Sequence, residues 1–467
     1  MRVASLFFAL SLLVAAPAQS AQPTRIDATA IAQAGTVRDA ALRDATAWKV
    51  LESLTTEVGP RLAGSPADAR AVAWAQAKFR ELGYDRVWTE PVTFPRWVRR
   101  SETLDVLGAY AQPLRVGALG GSPGGTVEGE VVRFADLAAL QAAPEGSLAG
   151  KIVFVDYTMQ ARRDGGDYRN AGGIRWAGPS VAIKKGAIGF LMRSAGTSLS
   201  REPHTGNTGF EPGLTPIPAA ALATIDAAQL ARLVALGPTR VRLALDCGYD
   251  GEATSYNVIG EITGSTRPDE IILLGGHLDS WDYGTGAIDD AAGVAITMAT
   301  GALLKPLHPA RSIRVVAFAN EEQGLWGGRA YAQQHADEVA RHVIAIESDF
   351  GAAPIFGFDS SARDLQPQAL AQIQQVLAPL GIEWLPKQGD PESDIGGMVD
   401  LGTAWAWLGH DGTRYFDLHH TADDTLDKVI PQELAQNVAA YAAFTWLAAQ
   451  AEGGFGSDAR AKGERGE

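Results

Sequence analysis

The 467-residue sequence predicts an α/β protein: a mainly parallel mixed sheet flanked by helices, interrupted by a β-rich insertion. Three observations carry this expectation. From about Tyr256 onward, apolar runs of strand length alternate with segments of helix length, the rhythm of a parallel sheet. Residues 122–248 break that rhythm with short, glycine-bounded strands. Acidic and His residues follow directly on several of the apolar strands, where open α/β sheets gather their functional groups.

The chain divides in order. Residues 1–21 have the form of a secretory signal peptide: Arg2, an apolar run from Val3 to about Ala16, then small residues with possible cleavage after Ala18 or Ala21. The run is too short to span a bilayer, and no later segment is expected to cross one. The protein is therefore expected to be exported, periplasmic or secreted. Residues 22–121 form the first part of the main domain. Arg38–Val58 reads as one helix, with Ala41, Ala45, Trp48, Leu51 and Val58 near one face. Gly59–Pro66 is a turn, Ala67–Leu82 a second amphipathic helix stopped by Gly83, and Val87–Phe94 a strand. The insertion carries strands at Thr126–Phe134 and Gly150–Tyr157, then a helix turning into a strand through Gly186. Residues 249–451 complete the main domain. Strands at Ile271–Gly276, Arg311–Asn320 and His342–Asp349 alternate with helices at Ala291–Leu304 and Leu325–Ala340, and a last helix spans Pro431–Ala451. Residues 452–467 are polar, glycine-rich and expected to be disordered.

Composition narrows the chemistry. A net charge of −14 with no basic run excludes nucleic acid and anionic membrane surfaces as partners. Cys247 is the only cysteine, so there is no intrachain disulfide and no zinc held by several thiolates. A metal site must rest on His and carboxylates.

Those residues cluster at strand ends. The first strand delivers His277 and Asp279, with Asp289 and Asp290 soon after. The second delivers Asn320, Glu321 and Glu322, the third Glu347 and Asp349. A fourth group holds Tyr415, His419, His420, Asp423 and Asp424. Of the other histidines, His308, His335 and His342 read as solvated, and His204 and His410 as loop residues without a ligand role. Adjacent carboxylates repel unless a cation stands nearby. Zinc takes imidazole and carboxylate ligands, and two divalent ions would offset the crowded negative charge. A further carboxylate that is not a ligand must accept the proton of an attacking water.

Taken together, HLDSWDYGTGAIDDAAG, NEEQG, ESDFG and HHTADDT, in that order, resemble the M28 family of co-catalytic zinc peptidases. The resemblance is greatest to the plasma glutamate carboxypeptidase (carboxypeptidase Q)-like branch and covers most of the mature chain. It implies a zinc aminopeptidase-like catalytic domain with an inserted protease-associated domain, and two zinc ions per chain. It makes His277 and Asp349 ligands of the first ion (with Glu347 the alternative to Asp349), Glu322 and His420 ligands of the second, and Asp289 the bridge. Glu321 matches the general base, Asp279 the acid that orients His277, and the Asp289–Asp290 bond is expected to be cis. Ser393, Asp394, Tyr415 and His419 are candidate substrate contacts. The family's aromatic residue shortly after Ser-Asp is absent, since Ile, Gly, Gly and Met follow Asp394. The activity implied is exopeptidase action on short peptides with a free N-terminus, as an aminopeptidase or dipeptidase; a homodimer is implied as well. Alternatives are a carboxypeptidase acting on short peptides, a glutaminyl cyclase on the same fold, and a non-catalytic receptor-like ectodomain.

Overall fold

Four parallel strands form the centre of the molecule, a computed structural model that describes residues 23–456. In spatial order they are Trp405–His410, His342–Glu347, Arg267–His277 and Arg311–Phe318. Antiparallel neighbours extend the sheet on both sides: Ile355–Ser360 beside the first, and Arg240–Ile262 beside the last. These strands read as continuous apolar runs because helices cover both faces. Ile272 and Leu274 point into one core with the helices Ala28–Ala41, Thr46–Ser53, Ala292–Leu304 and Pro431–Gln450. Leu273, between them, points into another with Tyr331 and Met398 from the helices Trp326–Gln334 and Gly396–Leu401. Each fully buried Leu or Ile in such a core contributes about 1.5–3 kcal/mol.

Arg240–Ile262 also joins the two lobes. It pairs antiparallel with Arg86–Val106 along nearly its whole length, with register shifts at Pro95–Trp97 and Arg99–Ser101. Its first half pairs with Gly125–Phe134, the first strand of the insertion. The insertion is α/β, rather than β-rich with few long helices as expected. Its strands Gly125–Phe134, Ile152–Val155, Gly189–Arg193 and Ala219–Leu222 run parallel, and helices Tyr168–Lys184 and Thr224–Leu236 pack on them. The longer helix was hidden by Gly172, Gly173, Gly178 and Pro179, residues that argue against a helix locally. Burial of Ala171, Ile174 and Ala182 holds it nonetheless.

Other boundaries differ for local reasons. The single helix expected over Arg38–Val58 is broken: Ala28–Ala41 ends, and Asp44 accepts the Thr46 N–H at 2.7 Å to start Thr46–Ser53. Ser65 caps the helix Pro66–Glu81 by accepting the Asp68 N–H. The first residues of the tail expected to be disordered are ordered. Glu452 pairs with Arg25 through the backbone, Phe455 is buried, and Arg311 donates to the carbonyls of Ala448, Ala451 and Gly453 at 2.6–2.7 Å. The expectation that no later segment has the length and apolarity of a membrane span also meets an exception. Ala287–Leu307 passes on composition, but it is the buried central helix of the core. The expected signal peptide and the last eleven residues lie outside the described residues.

Candidate active site

The carboxyl ends of all four parallel strands open onto one cleft, and each brings chemistry with it. His277 is the last residue of its strand and is fully buried. Its Nδ1 donates to the Asp279 carbonyl at 3.1 Å, with the Asp279 carboxylate 3.6 Å away. That leaves Nε2 as the free lone pair, 3.0 Å from Asp289 and 3.3 Å from Asp349. Asp279 is buried and its carboxylate accepts the Glu321 backbone N–H at 3.0 Å, so this one residue, through carbonyl and carboxylate, ties the ends of two strands.

Asp289 is the shared element. Its Oδ1 faces His277, while its Oδ2 stands 3.1 Å from His420 and 3.2 Å from His419. His420 in turn lies 2.9 Å from Glu322. Two triads with metal-ligating donors share Asp289, His277–Asp289–Asp349 and Asp289–Glu322–His420, and His204, His419 and His420 form a third such group beside them. The Asp289–Asp290 peptide bond is cis. Asp290 faces away from both triads: its Oδ2 accepts the His277 N–H and its Oδ1 the Gly293 N–H. The two adjacent aspartates thus do different work, one in the cleft and one pinning the strand end to the next helix.

The donor set fits divalent cations. Burial, with repulsion from Asp289 added, raises Glu322 to about 7 against the opposing pull of His420. Burial likewise raises Asp394, Glu392 and Asp424 to about 8. Burial would also raise Asp289, but His419, His277 and His420 together hold it well below the usual carboxylate range. Asp289 Oδ2 and Glu322 Oε1 are buried without a hydrogen-bond donor. Acceptors in that state call for a positive charge between them.

The remaining candidates separate. Glu321 is half-buried, lines the cleft and belongs to neither triad. Burial raises its pKa well above the usual value, and repulsion from Asp349 adds to that. Glu347 is turned away: it accepts the backbone N–H groups of Asp394 and Ile395 at 2.8 and 3.2 Å. Asp394 is buried and accepts the Gly328 N–H, so it anchors a loop, while Ser393 beside it lines the cleft. Tyr415 stacks on Phe350 with ring centroids 4.3 Å apart, and His419 stacks on His420 at 3.6 Å. Both line the cleft.

Several residues escaped sequence reasoning. Arg61, in the turn Gly59–Pro66, is fully buried and donates to the carbonyls of Leu278, Thr285 and Gly286, tying down the loop that carries the Asp289 segment. His204 lies in a loop, as expected, but that loop is buried and sets its ring against His419 and His420. Arg175 lines the cleft from the insertion. His308 is exposed, but His335 and His342, expected to be solvated, are buried. His335 lies 3.0 Å from Glu90 and His342 bonds the Tyr331 hydroxyl, polar partners that sequence proximity did not reveal. The invariant signal for such residues is a tertiary partner, which no local pattern carries.

The geometry has close parallels. Residues 257–445 match the family model described as peptidase family M28. Bovine carboxypeptidase Q is 32% identical over 87% of this chain and 85% of its own, and the human protein is 30% identical over similar shares. A crystal structure of a peptidase M28 precursor from Shewanella amazonensis is 45% identical, with a TM-score of 0.87 over 90% of this chain and 96% of that one. A zinc aminopeptidase from Bacillus subtilis, 19% identical with a TM-score of 0.61 over 86% and 94%, shares the fold. Sequence kinship over most of the chain and the strand-end cleft agree: the chain belongs to peptidase family M28 and is a metallo-exopeptidase.

Proposed function

We propose that the chain is a di-zinc exopeptidase that hydrolyses short peptides with a free N-terminus, as an aminopeptidase or dipeptidase. One observation carries this reading: Asp289 presents one carboxylate oxygen to each of two donor triads. His277 and Asp349 would hold the first ion, Glu322 and His420 the second, and Asp289 would bridge them. When bound, such an ion pair lowers the pKa of a water and polarises the scissile carbonyl.

The protein's own groups do the rest. Glu321, outside both triads and held by its backbone N–H on Asp279, accepts the proton of the attacking water and returns it to the departing amine. Asp279 keeps the Nδ1 proton of His277 in place, so Nε2 stays a ligand. Tyr415 and His419 form the wall beside Asp289, placed to contact the reacting carbonyl. Ser393 lines the same cleft. Residues 122–248 act as a protease-associated-like insertion that closes the cleft, and residues 1–21 as an export signal.

The test is metal analysis of the purified protein combined with a panel of free, N-acetylated and C-amidated dipeptides. Two zinc equivalents and cleavage only of peptides with a free N-terminus support the reading. One tightly held ion with ammonia release from an N-terminal glutaminyl peptide favours the cyclase instead. Cleavage that tolerates an N-acetyl group but needs the C-terminal carboxylate favours a carboxypeptidase.

A further inference from the structure

The histidines of the cleft differ from those elsewhere in what their ring nitrogens do. His335 engages Glu90 and Glu338, and His342 engages the Tyr331 hydroxyl and the Glu338 carbonyl, so each uses both nitrogens. In the cleft, His204 leaves both nitrogens buried without a partner, and His419 and His420 each leave Nδ1 so. The three residues are 2%, 7% and 8% exposed. They stand together: the His204 ring centre lies 4.8 Å from that of His419 and 5.2 Å from that of His420, and the last two stack at 3.6 Å. Each can bring one ring nitrogen to within 4.8 Å of those of the other two. Buried polar atoms without partners are rare, and a cluster of them marks a place that something outside the chain completes.

His204 comes from the insertion, yet the main domain sets its place. The Thr197 N–H donates to the Phe416 carbonyl at 3.0 Å and the Thr205 N–H to the His420 carbonyl at 3.3 Å. The Thr197 hydroxyl donates to Asp417 at 2.7 Å, and the Ser194 hydroxyl accepts the His204 N–H at 2.9 Å. The ring is thus fixed against the segment that carries His419 and His420. That segment also faces the bridging carboxylate: Asp289 Oδ2 lies 3.2 Å from His419 Nε2 and 3.1 Å from His420 Nε2. Charge decides how the group can be used. Two divalent ions already outweigh Asp289, Glu322 and Asp349 by one charge. Arg175 adds another at the edge of His420, since a Cβ on Gly206 would lie 2.2 Å from Arg175 Nη1 and 2.7 Å from His420 Nδ1. A third divalent ion beside that guanidinium would add two more, with no carboxylate of its own to offset them. Relocating the second ion adds none.

We infer that His204, His419 and His420 form a second, closed seat for the ion that Asp289, Glu322 and His420 hold in the catalytic arrangement. The inference rests on the di-zinc reading and deepens it. His420 belongs to both sets, so one ion occupies one seat or the other. In the open seat three protein donors leave a position for water, as a catalytic site requires. In the closed seat three imidazoles join the Asp289 oxygen that faces two of them, and four protein donors leave none. The seats also differ in donor type. The open one offers two carboxylates and one imidazole, the closed one three imidazoles and one carboxylate, a set that favours copper(II) and zinc over manganese. The closed seat therefore holds a transition-metal ion in an inactive state, and the insertion, through His204, sets how much of the protein is in it.

The experiment exchanges one equivalent of copper(II) into the zinc-loaded protein and counts the imidazoles bound to it by pulsed electron paramagnetic resonance. Neither triad of the catalytic arrangement holds more than one histidine, so two or three coupled imidazoles identify the closed seat. Three are expected in the wild type and two in His204→Gln, with the copper affinity of the variant lower by at least about tenfold, because loss of even an orienting partner costs that much. A single imidazole in the wild type overturns the inference without reference to any variant. An unchanged count in His204→Gln overturns it as well. Hydrolysis of a free dipeptide supplies the second reading. Copper(II) should inhibit the zinc-loaded wild type, and the half-inhibiting concentration should rise by about tenfold or more in His204→Gln. Equal inhibition of the two proteins overturns the closed seat as an inactive state. The spectrum needs no turnover, so the two readings fail separately. Protein that shows three imidazoles but cleaves no peptide counts against the peptidase reading alone, and active protein that shows one counts against the closed seat alone.

Discussion

Glu321→Gln separates catalysis from metal binding more cleanly than any other single change in the cleft. Gln keeps the length and shape of the side chain, and the backbone N–H of residue 321 keeps its 3.0 Å bond to Asp279. Neither triad loses a donor, because Glu321 belongs to neither. What is lost is the ability to accept a proton. A positioned general base contributes roughly 10²–10⁴-fold, so the expected fall in kcat is about 10³-fold, or ~4 kcal/mol of barrier. KM should change little, since the base stabilises the transition state rather than the bound peptide. The assay is steady-state hydrolysis of a free dipeptide by protein whose metal content is measured on the same sample. A variant that keeps more than a tenth of wild-type kcat with full metal content would remove Glu321 as the base. A variant that loses metal would show that the glutamate is a ligand, and the two triads would have to be redrawn.

Asp289→Asn removes the charge shared by both triads, so both metal equivalents should fall together, whereas Asp349→Asn should lower mainly one; elemental analysis decides, and an Asp289→Asn protein that keeps one full equivalent refutes the shared role. Arg61→Met leaves the buried carbonyls of Leu278, Thr285 and Gly286 without donors, a loss of at least about 3 kcal/mol that chemical denaturation should register, and a smaller loss would mean the loop re-pairs. Burial lowers His342 and His410 to about 4, opposed in part by hydrogen bonds to the Glu338 carbonyl and to Asn437. Unfolded, each binds a proton near pH 6.5, so the stability each contributes is complete above that pH and is lost as pH falls from 6.5 toward 4, by about 3 kcal/mol per group. His410→Gln should flatten that limb of a plot of Tm against pH, and an unchanged limb would place the acid sensitivity elsewhere.

The candidate site was legible where chemistry and chain order coincide. His277 and Asp279, Glu321 and Glu322, and Asp349 each stand within four residues of an apolar strand, so a strand assignment alone brings them to one edge. His420 was harder, lying ten residues beyond its strand, and its motif rather than any periodicity singled it out. The insertion was misread for the opposite reason. Its helix Tyr168–Lys184 holds three glycines and a proline, so local propensity argued against what packing enforces. Two long paired strands, Arg86–Val106 and Arg240–Ile262, were also invisible as a unit, because their register joins residues more than a hundred positions apart.

Residues that escaped the sequence altogether share a physical character. Arg61, Arg175 and His204 are ordinary in their local contexts, and each becomes unusual only when burial removes its solvent and the fold decides its partners. Arg61 finds carbonyls, and its task is complete within the chain. Arg175 and His204 do not find enough partners, and the same fold sets them against His420. The contrast separates structural from functional burial. A buried cation whose hydrogen bonds are all made internally stabilises the protein and has little left to offer a ligand. One left short, in a cleft wall, costs stability that selection tolerates only where something else completes it. On that argument the two halves of this site answer different needs. The strand ends supply acids that require cations, and the insertion supplies Arg175 and His204, whose buried nitrogens the chain itself does not fully satisfy.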